Sequence, residues 1–171
     1  MKSTLSNYQS DIGLRYMNLD ETVQNYKLSI SLIGYTLRHD LKDINNQNIE
    51  VQSDNKNKTI YFYFTETGCN SCIVQELENL TQVSKNSYNI IVLARYSDPI
   101  RLAYLLKDYN IPNLKYHCLP IDCEIFESKN QEYLPLTLVF NLDDARKVSN
   151  PLVASSESPE ISKIYYKRLI I

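Results

Sequence analysis

"TIYFYFTETGCNSC", residues 59–72, is the stretch on which the reading of this chain turns. It opens on a short apolar run, residues 60–64, dense in aromatics and bounded by turn-type residues, which is the pattern of a buried central strand. Two cysteines three positions apart follow, Cys69 and Cys72. Ile73, Leu77, Leu80 and Val83 then come at helical spacing, so the thiols stand where a strand passes into a helix.

Three uses of such a pair compete. A structural zinc site takes four protein ligands and a catalytic one three plus water. Cys69 and Cys72 supply two, while Cys118 and Cys123 lack the spacing of a second clip, with His117 and His39 the only histidines. No metal and no cofactor is assigned. A structural disulfide is the second use. Placement favours the third, a redox couple. The first turn of a helix carries unpaired N–H groups and the positive end of the dipole. An anion is stabilised there, which lowers the Cys69 pKa. Cys72, one turn further on, is within reach of a mixed disulfide on Cys69. Cys118 and Cys123 read either as buried small apolar residues or as a second disulfide.

Working outward, "YNIIVLARY", residues 88–96, predicts a second buried strand. Asp98 caps the next helix, with Pro99 in its first turn. "NLKYHCLPI" predicts a short third strand, and "LTLVFNLDDARKVSNPL" a hairpin turning at Asp143 and Asp144. "SPEISKIYYKRLII" predicts a closing helix, capped by Ser158 with Pro159 in its first position. Toward the N-terminus, "RHDLKDINNQNIEV" reads as a hairpin around an Asn-rich turn, and "SDNKNKT" as a polar loop. Leu28, Ile30 and Leu32 alternate with polar residues as in a strand. Before them Tyr8, Ile12, Tyr16, Leu19, Val23 and Tyr26 make a helical stripe, in one helix or two short ones. We read the stripe as docking onto the domain behind it, with a partner or dimer surface as the alternative. The division expected is a helical N-terminal extension over residues 1–27 and a single domain over 28–171.

A strand, then C-x-x-C, then a helix, within a β-α-β-α-β-β-α order, resembles the thioredoxin-like superfamily. The nearest resemblance is to the TlpA/ResA-like thiol-disulfide oxidoreductases and the wider AhpC/TSA-related, peroxiredoxin-containing group. It covers about residues 32–168. The resemblance implies an α/β fold, a central mixed sheet flanked by helices, with an N-terminal β-hairpin and the helical extension. It makes Cys69 the exposed nucleophile and Cys72 the resolving thiol. "EYLPLTLVFN" puts Pro135 in the place of the family's cis-proline, with Leu134 offering backbone hydrogen bonds. Gly68, Asn70, Ser71, Leu134 and Pro135 would then form the substrate groove.

The departures are specific. Where the family commonly has Trp, this chain has Gly68, and it has no tryptophan anywhere. The positions between the cysteines, often proline, hold Asn70 and Ser71. The glutamate three residues past the second cysteine is replaced by Gln75, with the acid one later at Glu76. Glu66, three before Cys69, would raise the thiolate pKa if it lay close.

The implied activity is dithiol–disulfide exchange with protein cysteines, with an upstream redox partner. The resemblance places such work in the periplasm or cell envelope, with the cytoplasm as the alternative; the first residues lack the apolar core of a signal peptide. A binding module that keeps the fold without turnover is the alternative. Peroxide reduction would call on Thr65 or Thr67 and Arg95, but the P-x-x-x-T/S-x-x-C spacing is absent. Copper handling uses C-x-x-x-C, one residue longer than here. The net charge is −2 with scattered basic residues, so no nucleic-acid surface is expected, and no apolar run is long enough to span a membrane. The three glycines are isolated and make no phosphate loop.

Overall fold

The computed structural model describes residues 2–51, 58–127 and 134–170, with the side chains of its first helix from Met17 onward. The elements run α1 (Lys2–Ser31), β1 (Thr59–Thr65), α2 (Asn70–Ser84), β2 (Asn89–Arg95), α3 (Pro99–Lys107), β3 (Leu114–Leu119), β4 (Thr137–Leu142), β5 (Val148–Val153) and α4 (Pro159–Ile170). The five strands form one sheet in the order β3-β2-β1-β4-β5. β1, β2 and β3 are parallel, and β4 and β5 pair antiparallel to their neighbours.

β1 lies at the centre because residues 60–64 are an unbroken run of apolar and aromatic side chains. Ile60, Tyr61, Phe62, Tyr63 and Phe64 are each exposed by 1% or less. Full burial of a large apolar side chain contributes about 1.5–3 kcal/mol. Alternation along the strand divides these residues between two cores. Ile60, Phe62 and Phe64 join Ile90, Val92 and Ala94 beneath α2, α3 and α4. Tyr61 and Tyr63 join Ile91, Leu93, Leu138 and Phe140 on the other face, closed by Leu32, Leu37, Leu41, Ile125 and Phe126. Strand and helix ends follow the local chemistry: Asp98 caps α3 through the N–H groups of Ile100 and Arg101, and Asp143 ties the β4–β5 turn.

The N-terminal third departs from the sequence reading in three ways. α1 is one continuous helix to Ser31, so the strand expected over residues 28–32 is helical up to Ser31, with Leu32 in the turn that follows, and the helix crosses the 27/28 division. Leu28 and Leu32 are four apart, so a spacing that suits a strand also puts both on one face of a helix. Leu32 is indeed buried, while Ile30 is 49% exposed. The hairpin after it is a narrow turn with one bridge, Lys42 to Asn48, held by the Asp43 and Ile49 N–H groups bonding Gln47 and Leu41 carbonyls. Most of the "SDNKNKT" loop lies outside the described residues.

The third departure concerns the apolar stripe, whose described residues do not dock. Leu19, Val23 and Tyr26 are 59%, 39% and 65% exposed; the side chains of Tyr8, Ile12 and Tyr16 lie outside the described residues. α1 seats itself instead through Leu28, half-buried against the second core, and through polar residues. Glu21 accepts from the Ser155 hydroxyl at 2.7 Å, Thr22 bonds the Ser158 hydroxyl, and Ser29 Oγ accepts the Val153 N–H at 3.0 Å. The last of these covers part of the open edge of β5, where Pro151 offers no donor.

Candidate active site

The site is assembled at the end of β1. The Thr65 N–H donates to the Leu136 carbonyl at 3.0 Å, so the segment entering β4 lies against the end of β1. Gly68 N–H turns back to Thr65 O at 2.9 Å. A Cβ built on Gly68 would stand 3.0 Å from Thr65 O and 3.2 Å from Leu136 O, both backbone atoms. Only glycine fits so close an approach without movement. This explains why a bulky residue is missing in front of the first cysteine.

Cys69 is the N-cap of α2, in extended conformation, and its Sγ accepts the Cys72 N–H at 3.2 Å. An orphan donor of the helix terminus is thus directed at the sulfur. Cys69 and Cys72 are joined as a disulfide, with Cα atoms 5.2 Å apart. The two sulfurs differ in access: Cys69 is exposed and Cys72 is 4% exposed. Asn70 and Ser71 are exposed beside Cys69, with Ser71 Oγ 3.1 Å from its Sγ.

The fold is thioredoxin-like. The strand order, the parallel β1–β2–β3 unit, the antiparallel β4–β5 hairpin and a C-x-x-C capping the helix after the central strand agree with the order expected. No protein-family model and no curated protein matches the chain. Among solved structures it is similar to a thio-disulfide isomerase from Thermus thermophilus, at 15% identity and a TM-score of 0.48, covering 77% of this chain and 94% of that one. It is also similar to a thioredoxin-family thiol:disulfide interchange protein from Chlorobium tepidum, at 16% identity and 0.46, covering 78% and 97%. A peroxiredoxin-like protein from Aquifex aeolicus aligns at 15% identity and 0.46, covering 81% and 87%.

Within this thioredoxin-like frame the remaining site residues divide. Pro135 is buried and Leu134 half-buried, just before the Leu136 carbonyl that meets β1. The Leu134–Pro135 bond is trans, since among the described residues no peptide bond is cis; the cis form implied by the resemblance is corrected here. Glu66 accepts from Ser97 N–H at 2.9 Å and Ser97 Oγ at 2.5 Å, with Arg101 3.5 Å away. Those hydrogen bonds hold its carboxyl below the usual range. Glu76 is fully buried between α2 and α4, accepting from Ser162 Oγ at 2.6 Å and Tyr166 OH at 2.7 Å. Burial pushes its pKa up, against the pull of those donors.

Cys118 and Cys123 are free thiols. Cys118 donates to the Tyr96 carbonyl at 3.2 Å, and burial raises the pKa of both. Arg95 bonds the Ile121 carbonyl and Tyr63 OH, and the Thr65 and Thr67 hydroxyls bond each other, so these three are engaged elsewhere than at the thiols.

Two contributors were missed by sequence reasoning. Ser156, on the loop before α4, places its Oγ 3.7 Å from Cys69 Sγ. Leu136, 51% exposed, forms an apolar edge next to Gly68. A serine in a loop 87 residues from its partner leaves no spacing to read. Leu136 stands directly before a strand whose alternation gives it no assigned face.

Proposed function

We propose that this chain is a protein thiol–disulfide oxidoreductase whose working group is the Cys69–Cys72 pair. One observation carries the reading: an exposed sulfur at a helix N-cap is bonded to a buried sulfur one turn further in. A thiolate on a partner protein attacks Cys69 Sγ. The Cys69–Cys72 bond breaks and its electron pair leaves on Cys72. A second partner thiolate then attacks the partner sulfur of the mixed disulfide and releases Cys69 as a thiolate. The partner gains a disulfide, this chain gains a dithiol, and solvent exchanges the protons. In reverse, Cys69 attacks a partner disulfide and Cys72 resolves it.

The site supports the charge that Cys69 carries in either direction. The Cys72 N–H and the helix terminus face its sulfur, and the Ser71 and Ser156 hydroxyls stand beside it. Gly68, Asn70, Ser71, Leu134 and Pro135, with Leu136, would bound the groove for the incoming cysteine. Partners are protein cysteines and a second redox protein that resets the pair. By the family resemblance we place the work in a bacterial cell envelope. Among the described residues, no helix is long and apolar enough to cross a membrane.

The test is equilibration in dithiothreitol buffers of graded potential, trapping of free thiols and mass spectrometry. Cys69 and Cys72 are expected to convert together and reversibly at a potential of about −300 to −100 mV. A pair that stays reduced, or stays locked as an inert bridge, overturns the reading and leaves a thioredoxin-like binding module.

A further inference from the structure

The exposed side of α1 has a repeat that selects its own partner. Leu19, Val23, Tyr26, Ile30 and Ile33 follow one another at steps of four, three, four and three. That is the a/d seam of a heptad, with Val23 and Ile30 at a and Leu19 and Tyr26 at d; Ile33 keeps the spacing from the turn just past the end of the helix. In sequence the repeat extends back to Tyr16 at a and Ile12 at d. All five described seam residues are exposed, from 39% at Val23 to 65% at Tyr26. The seam borders a cleft of about 430 Å³ whose far wall includes Ile161 and Ile164 of α4, 37% and 51% exposed. A continuous apolar patch of this kind marks an interaction site, and a 3.5-residue repeat fits another helix with the same repeat.

The flanks of the seam set the orientation. The g positions, Thr22 and Ser29, are already bonded to Ser158 and to the Val153 N–H of their own chain. The e positions, Asp20 and Lys27, are exposed, and their side chains make no hydrogen bond or ion pair among the described residues. In a parallel pair of helices, e faces the partner's g. In an antiparallel pair, e faces the partner's e. Only the antiparallel arrangement brings the free flanks together, and there opposite charges meet.

We propose that two copies of this chain associate through α1, antiparallel, with Asp20 of each opposite the partner's Lys27. The same register stacks Val23 on the partner's Tyr26 and Leu19 on the partner's Ile30. Two symmetric ion pairs then border an apolar seam, as in coiled coils where flanking charges choose the partner.

Sedimentation velocity of the full chain over a range of concentrations tests this. The wild-type chain is expected to sediment as a dimer that dissociates on dilution. Asp20→Lys and Lys27→Asp should each weaken it about tenfold or more, by setting like charges opposite one another. The double variant D20K/K27D should recover wild-type association, and Ile30→Asp should abolish it. A wild-type chain that stays monomeric at millimolar concentration overturns the proposal. So does a dimer that is indifferent to the single reversals, or a double variant no tighter than the singles.

Discussion

Ser156 Oγ stands 3.7 Å from Cys69 Sγ, and the adjacent Ser155 hydroxyl donates to Glu21 of α1 at 2.7 Å. The loop that faces the exposed sulfur is therefore fixed by the N-terminal helix. In the reduced protein the Ser156 hydroxyl can donate to the Cys69 thiolate. Its loss should favour the protonated thiol. Ser156→Ala is expected to slow alkylation of Cys69 at neutral pH about three- to tenfold, with the pH profile moved upward, because a hydrogen bond to a charged group is being removed. Destabilising the reduced form should also make the couple more reducing by about 15–30 mV. Glu21→Ala should move both quantities in the same direction by less. An unchanged alkylation profile in S156A would show that the hydroxyl is a bystander.

The unequal exposure of the two sulfurs gives opposite outcomes for two serine variants. Cys72→Ser, incubated with a disulfide-bearing protein, should accumulate a mixed disulfide through Cys69, since nothing resolves it. Cys69→Ser should accumulate none through Cys72, because that thiol is 4% exposed. Non-reducing electrophoresis reads both. Equal trapping by the two variants would contradict the assignment of nucleophile and resolver.

Glu76 sets a pH dependence of stability. Burial raises its pKa above the unfolded value. The stability linked to its protonated form is complete below the unfolded pKa and is lost as pH rises through the folded pKa. Glu76→Gln should flatten that decline in Tm between acid and neutral pH. Ser162→Ala or Tyr166→Phe removes a donor from the buried carboxylate and should cost about 1–3 kcal/mol at neutral pH. Thermal melts across pH check all three. A Glu76→Gln protein with the wild-type slope would mean the carboxylate is better solvated than its burial indicates.

Gly68→Ala forces a Cβ against two carbonyl oxygens, at 3.0 and 3.2 Å. The expected cost is about 1–3 kcal/mol, the range for overpacking a tight site. Chemical denaturation of the oxidised protein measures it. A neutral effect would mean that the loop before Cys69 shifts freely.

Much of the fold is legible where burial leaves one solution. Residues 60–64 and 90–94 are near-continuous apolar runs, and both are central strands. Asp98–Pro99 and Asp143–Asp144 mark a cap and a turn through bonds that a short side chain makes with nearby backbone. The cysteines were legible because a C-x-x-C at a strand–helix junction has few other uses. What escaped was set by tertiary choice. The stripe on α1 looks like a docking face in one dimension, yet the helix is held by Leu28 and by Glu21, Thr22 and Ser29, polar residues that an apolar stripe does not mark. Ser156 reaches Cys69 only because β5 and α4 bring their connecting loop to the end of β1.

Ser29 Oγ occupies the N–H of Val153 on the last strand of the sheet, and Pro151 has none to offer. α1 thus serves as a selvedge, finishing an edge that would otherwise fray into strand addition by another chain. A chain whose first helix is cut away, or lifted by Ser29→Pro, keeps its cysteines and its central strands but presents a bare strand at the edge. Aggregation by edge pairing, rather than unfolding, is the failure to watch for in any shortened form of this protein.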